Sequence, residues 1–383
     1  MKWINFLHIY QPPTQTKDVV EKVTKESYRL IINLLKKYPR LALTMNINGS
    51  LLEHWDNFGF QDVISDFKFL AETGRIELVG SAMYHPILPL IPLSEIRNQI
   101  ILHNQISERL LGKSFKPRGF YLPEMAYSTE VGEVIKEMGF EWIILDEIHL
   151  GKKVDPSIRY IIEEFDLSVI FRNKAVSHTF PPESIFKKSL IEVPYLITAH
   201  DGEMYGHWHK DDRGYYEKAF TNHDIEFLHA SEYLKSLQKI KKIKVSRASW
   251  ESTKEELDAG IPYGLWKHPE NEIHNQLWEL ANLVSTTVKN NSHDPGFKTS
   301  SNHLSRGLSS CTWWWSSERK LGPFSPITWN PTEIERGATE LLFAIRDLKK
   351  IDSKIKTQAE EKFKEIKEHV WNKHWQKELQ KQK

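Results

Sequence analysis

Short unbroken apolar runs alternate with stretches in which apolar residues recur every three or four positions. Lys2 to Ile9 reads as a strand, and Val19 to Lys37 as an amphipathic helix with Val20, Val23, Ile31, Leu34 and Leu35 on one face. Leu41 to Asn46 is a second strand. A helix from about Asp62 to Glu72 stops at Gly74, and Ile76 to Val79 follows as a third strand. Ser94 opens the next helix and Gly112 closes it. Gly119 to Leu122 is a fourth strand, Ser128 to Met138 a helix, and Trp142 to Leu145 a fifth strand. Tyr160 to Phe171 holds a further strand or a hairpin, and Leu190 to Thr198 another strand. Strands that alternate with helices predict a parallel α/β sheet, and about seven such units in roughly 260 residues predict a barrel or near-barrel.

The last third changes period. Asn271 to Lys289, Thr332 to Ile351 and Ser353 to Gln382 carry helical spacing, and Lys289 to Asn302 reads as a loop. The predicted organisation is a catalytic barrel over residues 1–270 and a helical domain packed on it over residues 271–383.

Charge narrows the partners. Lys plus Arg (52) nearly cancels Asp plus Glu (51), so no global field favours nucleic acid or a membrane surface, and a neutral substrate is expected. Basic stretches such as Lys239 to Lys244 read as solvated surface. A single cysteine, Cys311, excludes an internal disulfide and reads as a packed thiol. The N-terminus carries no signal-peptide pattern, and a cytoplasmic protein is expected. Most of the 13 Trp, 13 Tyr and 18 Phe are expected in the core, and composition alone does not separate core from ligand roles for Trp and Tyr. Beside acids they offer flat apolar faces with a polar edge, which suit a sugar ring.

Chemistry concentrates at strand ends. Tyr121-Leu122-Pro123-Glu124-Met125-Ala126-Tyr127 sets a carboxylate after the fourth strand. The apolar run to Ala199 ends in His200-Asp201-Gly202-Glu203-Met204-Tyr205-Gly206-His207-Trp208. His8 closes the first strand and His85 follows the third. In a parallel barrel these C-terminal strand ends share one mouth. Two acids ringed by aromatics fit glycosidic bond chemistry, which needs a proton donor for the leaving oxygen and a second carboxylate facing the anomeric carbon. Glu124 and Asp201 are the leading pair. Glu203, Asp146-Glu147 and Glu251 are alternatives, with Glu203 expected to face backbone or a basic partner. His8 and His85 suit hydrogen bonds to sugar hydroxyls, and Trp250, Trp266 and Trp314 suit stacking. His200, Asp201, His207 and His209 resemble a metal-ligand cluster, which keeps open a metal-dependent polysaccharide deacetylase. A glycan-binding protein without turnover is a third reading. The chain has no H-E-x-x-H, nucleophile elbow, Walker loop or G-x-G-x-x-G.

At these same residues the chain resembles glycoside hydrolase family 57. That family's H-x-H-Q-P signature reads here as His8-Ile9-Tyr10-Gln11-Pro12, with tyrosine in place of the second histidine. Its second region resembles Gly80 to Pro89, its third Tyr121-Leu122-Pro123-Glu124, and its fourth Asp201-Gly202-Glu203-Met204-Tyr205-Gly206. A looser fifth region falls within Trp250 to Trp278 and includes Trp266 and His268. The resemblance implies an incomplete (β/α)7 TIM-like barrel followed by a helical bundle. It implies retention of configuration on α-linked glucans, with Glu124 as nucleophile, Asp201 as general acid/base, and no metal or other cofactor. The residues expected to contact substrate are His8, Tyr10, Gln11, His85, His200, Trp208, Trp250, Trp266, His268 and Trp314.

Overall fold

The computed structural model describes residues 1–187, 193–321 and 327–381. Contacts divide the chain into two units. The first comprises residues 1–11, 15–83 and 96–250; the second comprises residues 12–14, 84–95 and 251–383.

Among the described residues the first unit has ten strands: β1 (Lys2–Ile9), β2 (Leu43–Ile47), β3 (Ile76–Leu78), β4 (Gly119–Tyr121), β5 (Trp142–Asp146), β6 (Ile158–Ile162), β7 (Ser168–Arg172), β8 (Tyr195–Asp201), β9 (Glu226–Phe227) and β10 (Lys239–Ile243). Parallel pairing runs β3-β2-β1-β8 in one sheet and links β4-β5-β7 in the other. Backbone bonds join the two sheets at both seams. The Gly80 N–H donates to Gly119 O at 2.9 Å, and the Tyr121 N–H to Gly80 O at 2.9 Å. On the other side the Asn173 N–H donates to Ile197 O at 2.8 Å. Seven parallel strands therefore close into a ring in the order β1-β2-β3-β4-β5-β7-β8. The β7–β8 seam is the thin one, so the barrel is incomplete.

Continuous burial of strands such as Trp142–Asp146 follows from having apolar cover on both faces. The first seam needs small residues. A Cβ on Gly80 would meet the Phe140 ring at 2.5 Å, and one on Gly119 would meet the Trp142 ring at 2.2 Å. The segment Tyr160 to Phe171 is a hairpin, with β6 antiparallel to β7. Lys239–Ile243, expected as solvated surface, is a strand paired with β6. Four of its five residues are exposed, the lysine-guarded edge that discourages further pairing. Of the strand expected over Leu190 to Thr198, residues 190–192 lie outside the described residues. The observed strand runs later, to Asp201, because His8 pairs with Asp201 across the sheet.

The second unit is helical, with Glu272–Asn290, Phe297–Gly307, Pro331–Asp347 and Ser353–Lys381 as its main helices. The loop expected over Lys289 to Asn302 ends early, at the helix beginning with Phe297. Cys311, expected to be packed, is half-buried. Among the described residues, no helix is long and apolar enough to cross a membrane.

Candidate active site

The C-terminal ends of the parallel strands gather the polar residues of the first unit. His8 stands one residue before the end of β1 and opposite Asp201, the last residue of β8. The His8 ring stacks on Tyr121 of β4 at 4.4 Å between centroids, and on Tyr10 at 5.8 Å. Its Nδ1 pairs with Asn46 Oδ1 at 2.8 Å, and burial pushes the imidazole down to about 3, so His8 is neutral. His200 is also buried, contacts Asp201 O through Nδ1 at 3.0 Å, and is pushed by burial down to about 4. Its ring lies flat against Tyr205, 5.6 Å away.

Glu124 sits in a tight turn after β4 with φ at 57°, and Met125 follows at 48°. Left-handed backbone in two successive non-glycine residues is unfavourable and persists only when its surroundings impose it. Here they do. The Trp250 N–H donates to Glu124 O at 3.0 Å, and the Met125 N–H to Leu122 O at 2.8 Å. His149 Nε2 contacts Met125 O at 2.9 Å. The Trp250 indole N–H then donates to Glu124 Oε2 at 2.7 Å, so one tryptophan holds both backbone and carboxylate.

Glu124 and Asp201 act on one common neighbour. Burial is the largest cause raising the Tyr121 hydroxyl well above its ordinary range, and the charges of Glu124 and then Asp201 raise it further. Both carboxylates are half-buried, and both bear on the phenol that His8 covers.

The other acids have separate partners. Asp146, expected as a site at the mouth, is fully buried at the end of β5 and paired with Arg172 at 2.6 Å. Glu147 accepts from the Lys174 N–H at 3.2 Å. Glu203 faces backbone and, among the described residues, meets no cation. Its Oε1 accepts from the Tyr28 hydroxyl, from the Tyr10 N–H at 3.3 Å and from the Gln11 amide at 3.5 Å. Burial pushes its carboxyl up to about 7. This network fixes Tyr10 and Gln11. Trp208 is 42% exposed on the loop after Asp201.

His207 pairs with Glu26 at 2.5 Å, and the His209 ring packs 4.1 Å from that of Phe180. The two histidines are thus engaged elsewhere. Among the described residues, no three His, Cys, Asp or Glu side chains are grouped to hold a metal.

The remaining expected contacts lie in the second unit. His85 is buried with φ at 57° and its Nδ1 is 2.9 Å from Ser310 Oγ. Trp266 is fully buried and offers no face for stacking, a consequence of its enclosure in the helical core. His268 and Trp314 are half-buried, and Glu251 also belongs to this unit. Sequence reasoning passed over Arg172, Tyr121 and Tyr28. An arginine ending an otherwise apolar strand, as in Ser168–Arg172, was the available signal.

The parallel barrel thus carries acids at two of its strand ends, Glu124 after β4 and Asp201 ending β8. Residues 4–246 match the profile of glycosyl hydrolase family 57, and the chain belongs to that family. Alpha-amylase 1 of Dictyoglomus thermophilum is 28% identical over 228 residues, which are 56% of this chain and 33% of that protein. The 4-alpha-glucanotransferase of Thermococcus litoralis is 25% identical over 272 residues, 61% of this chain and 39% of the other. The chain thus spans well under half the length of these curated relatives. The fold matches the crystal structure of a GH57-type branching enzyme from Pyrococcus horikoshii with a TM-score of 0.69 at 15% identity, covering 95% of this chain and 94% of that one.

Proposed function

We propose that this protein cleaves or transfers α-linked glucan chains with retention of configuration, using Glu124 as nucleophile and Asp201 as general acid/base. The observation that carries the reading is the position of the two carboxylates at strand ends: Glu124 in the turn after β4, and Asp201 ending β8 opposite His8, whose ring stacks on Tyr121 of β4. In the first step a Glu124 oxygen attacks the anomeric carbon and the glycosidic C–O bond breaks. The Asp201 proton passes to the leaving oxygen, giving a glycosyl ester on Glu124. Asp201, now a carboxylate, takes a proton from water or from a second sugar's hydroxyl. That oxygen attacks the anomeric carbon and the ester breaks, restoring both groups. The Trp250 indole N–H holds Glu124 Oε2. Neutral His8, with Tyr10 and Gln11 fixed beside it, suits hydrogen bonds to sugar hydroxyls. The α-glucan assignment draws on relatives described as alpha-amylases, 4-alpha-glucanotransferases and a branching enzyme.

Incubation with maltooligosaccharides tests the reading. Wild type is expected to give shorter products, plus longer ones if it transfers, and Glu124→Gln is expected to lose both by at least about 10³-fold. Proton NMR of the first-formed reducing ends should show the α anomer. The β anomer would overturn the retaining mechanism. Full turnover by Glu124→Gln would overturn the nucleophile assignment.

A further inference from the structure

We propose that Arg172 is a positioning residue for this site: from the end of β7 it fixes the plane of Trp250, and through Trp250 the Glu124 carboxylate. The role rests on the assignment of Glu124 as nucleophile.

Arg172 ends β7 and is 3% exposed, and each end of its guanidinium is engaged. Nε donates to Asp146 Oδ2 at 2.6 Å, Nη1 to Ala199 O at 2.8 Å, and Nη2 to His178 Nε2 at 3.0 Å. With its donors held in that plane, the cation lies over the Trp250 ring at 4.7 Å. Trp250 itself is buried, and its indole N–H points at Glu124 Oε2. Lys174 Nζ holds the Trp250 carbonyl at 3.0 Å. The result is a continuous set of contacts: Asp146 to Arg172, Arg172 to Trp250, Trp250 to Glu124.

The choice of residue follows from geometry. A lysine could meet Asp146 but could not also bridge Ala199 O and His178 while presenting a flat face to the indole. The Ala199 carbonyl is two residues from Asp201, so the guanidinium references both reacting groups to one rigid plane. An ion pair this deep is not there for stability alone, since apolar packing of equal volume serves as well. Orientation of Trp250 is what the arrangement supplies.

A double-mutant cycle on Arg172→Lys and Trp250→Phe tests this, with steady-state kinetics on a maltooligosaccharide. Each single variant is expected to lose about 10–100-fold in kcat, with KM within about twofold, as expected for loss of alignment. The acidic limb of kcat/KM is expected to move to higher pH in both, because the carboxylate loses a donor that favours its charged form. The double variant should be no slower than Trp250→Phe alone, since Arg172 acts through the indole. If Arg172→Lys does not fold by circular dichroism, Asp146→Asn/Arg172→Gln gives a second route into the same cycle with a neutral pair. Glu124→Gln is run in parallel. Losses that multiply in the double variant, or wild-type kcat and limbs in Arg172→Lys, overturn the Arg172 role while an inactive Glu124→Gln leaves the nucleophile standing. An active Glu124→Gln removes the nucleophile assignment and the Arg172 role together.

Discussion

Glu203 carries a carboxyl in a buried setting, held by the Tyr28 hydroxyl, the Tyr10 N–H and the Gln11 amide. Burial outweighs those donors and holds its proton up to about 7, against an ordinary value of 4.5. The folded state therefore binds this proton more tightly than the unfolded chain. Its contribution to stability is fully present below about pH 4.5 and is lost as pH rises through about 7. Glu203→Gln keeps an acceptor for Tyr28 and Tyr10 but cannot ionise. The variant is expected to gain on wild type in melting temperature between pH 5 and pH 8. A constant difference between the two proteins across that range would sink the argument. His8 and His200 make the opposite kind of statement, since burial leaves both neutral throughout the working range. A limb in the activity profile between pH 5 and 8 therefore belongs to neither, and His8→Gln should lower activity without moving it.

Elements rather than residues were the most legible part of the sequence, and the reason is periodicity. Strands β1 to β5 announced themselves as apolar runs because a parallel barrel strand is covered on both faces. The same logic placed Glu124 and Asp201 at strand ends. The helix Phe297–Gly307 was illegible because it packs through small residues. Ser300 Oγ donates to Ala344 O at 2.6 Å, and the Gly307 backbone leaves a Cβ only 2.8 Å from Leu341. Such a face carries no apolar stripe. Arg172 and Trp250 were equally hidden as a pair, since 78 positions of chain separate them and no local pattern reports a stacked cation. The glycine of β4 offers a test at this scale. In Gly119→Ala the new methyl would meet the Trp142 ring, which is buried and has no room to retreat. A loss of about 1–3 kcal/mol is expected from overpacking, read from urea midpoints. Because β4 leads directly into Glu124, turnover should fall with it. Unchanged stability would mean that β4 and β5 can separate without penalty.

Across the whole chain the buried histidines set the response to acid. His8, His103, His200 and His274 are all buried, and burial pushes them down to about 3, 4, 4 and 4 from an ordinary 6.5. Each stays neutral in the fold and is free to take up a proton once unfolded. Their combined stabilisation is fully present above pH 6.5 and is lost as pH falls toward 4. Glu203, whose proton burial holds in place, opposes them over part of this window. Urea midpoints are expected to hold roughly level near neutrality and to fall below about pH 6.5. His103 sits on the helix Leu93–Leu111 with its Nε2 3.3 Å from the Ile47 carbonyl, and it serves to isolate the effect. His103→Gln should reduce the proton uptake on unfolding at pH 5 by about one and flatten the acid slope accordingly. A slope identical to wild type would show that burial of this imidazole does not control its protonation, and the acid limit would then have to come from the carboxylates.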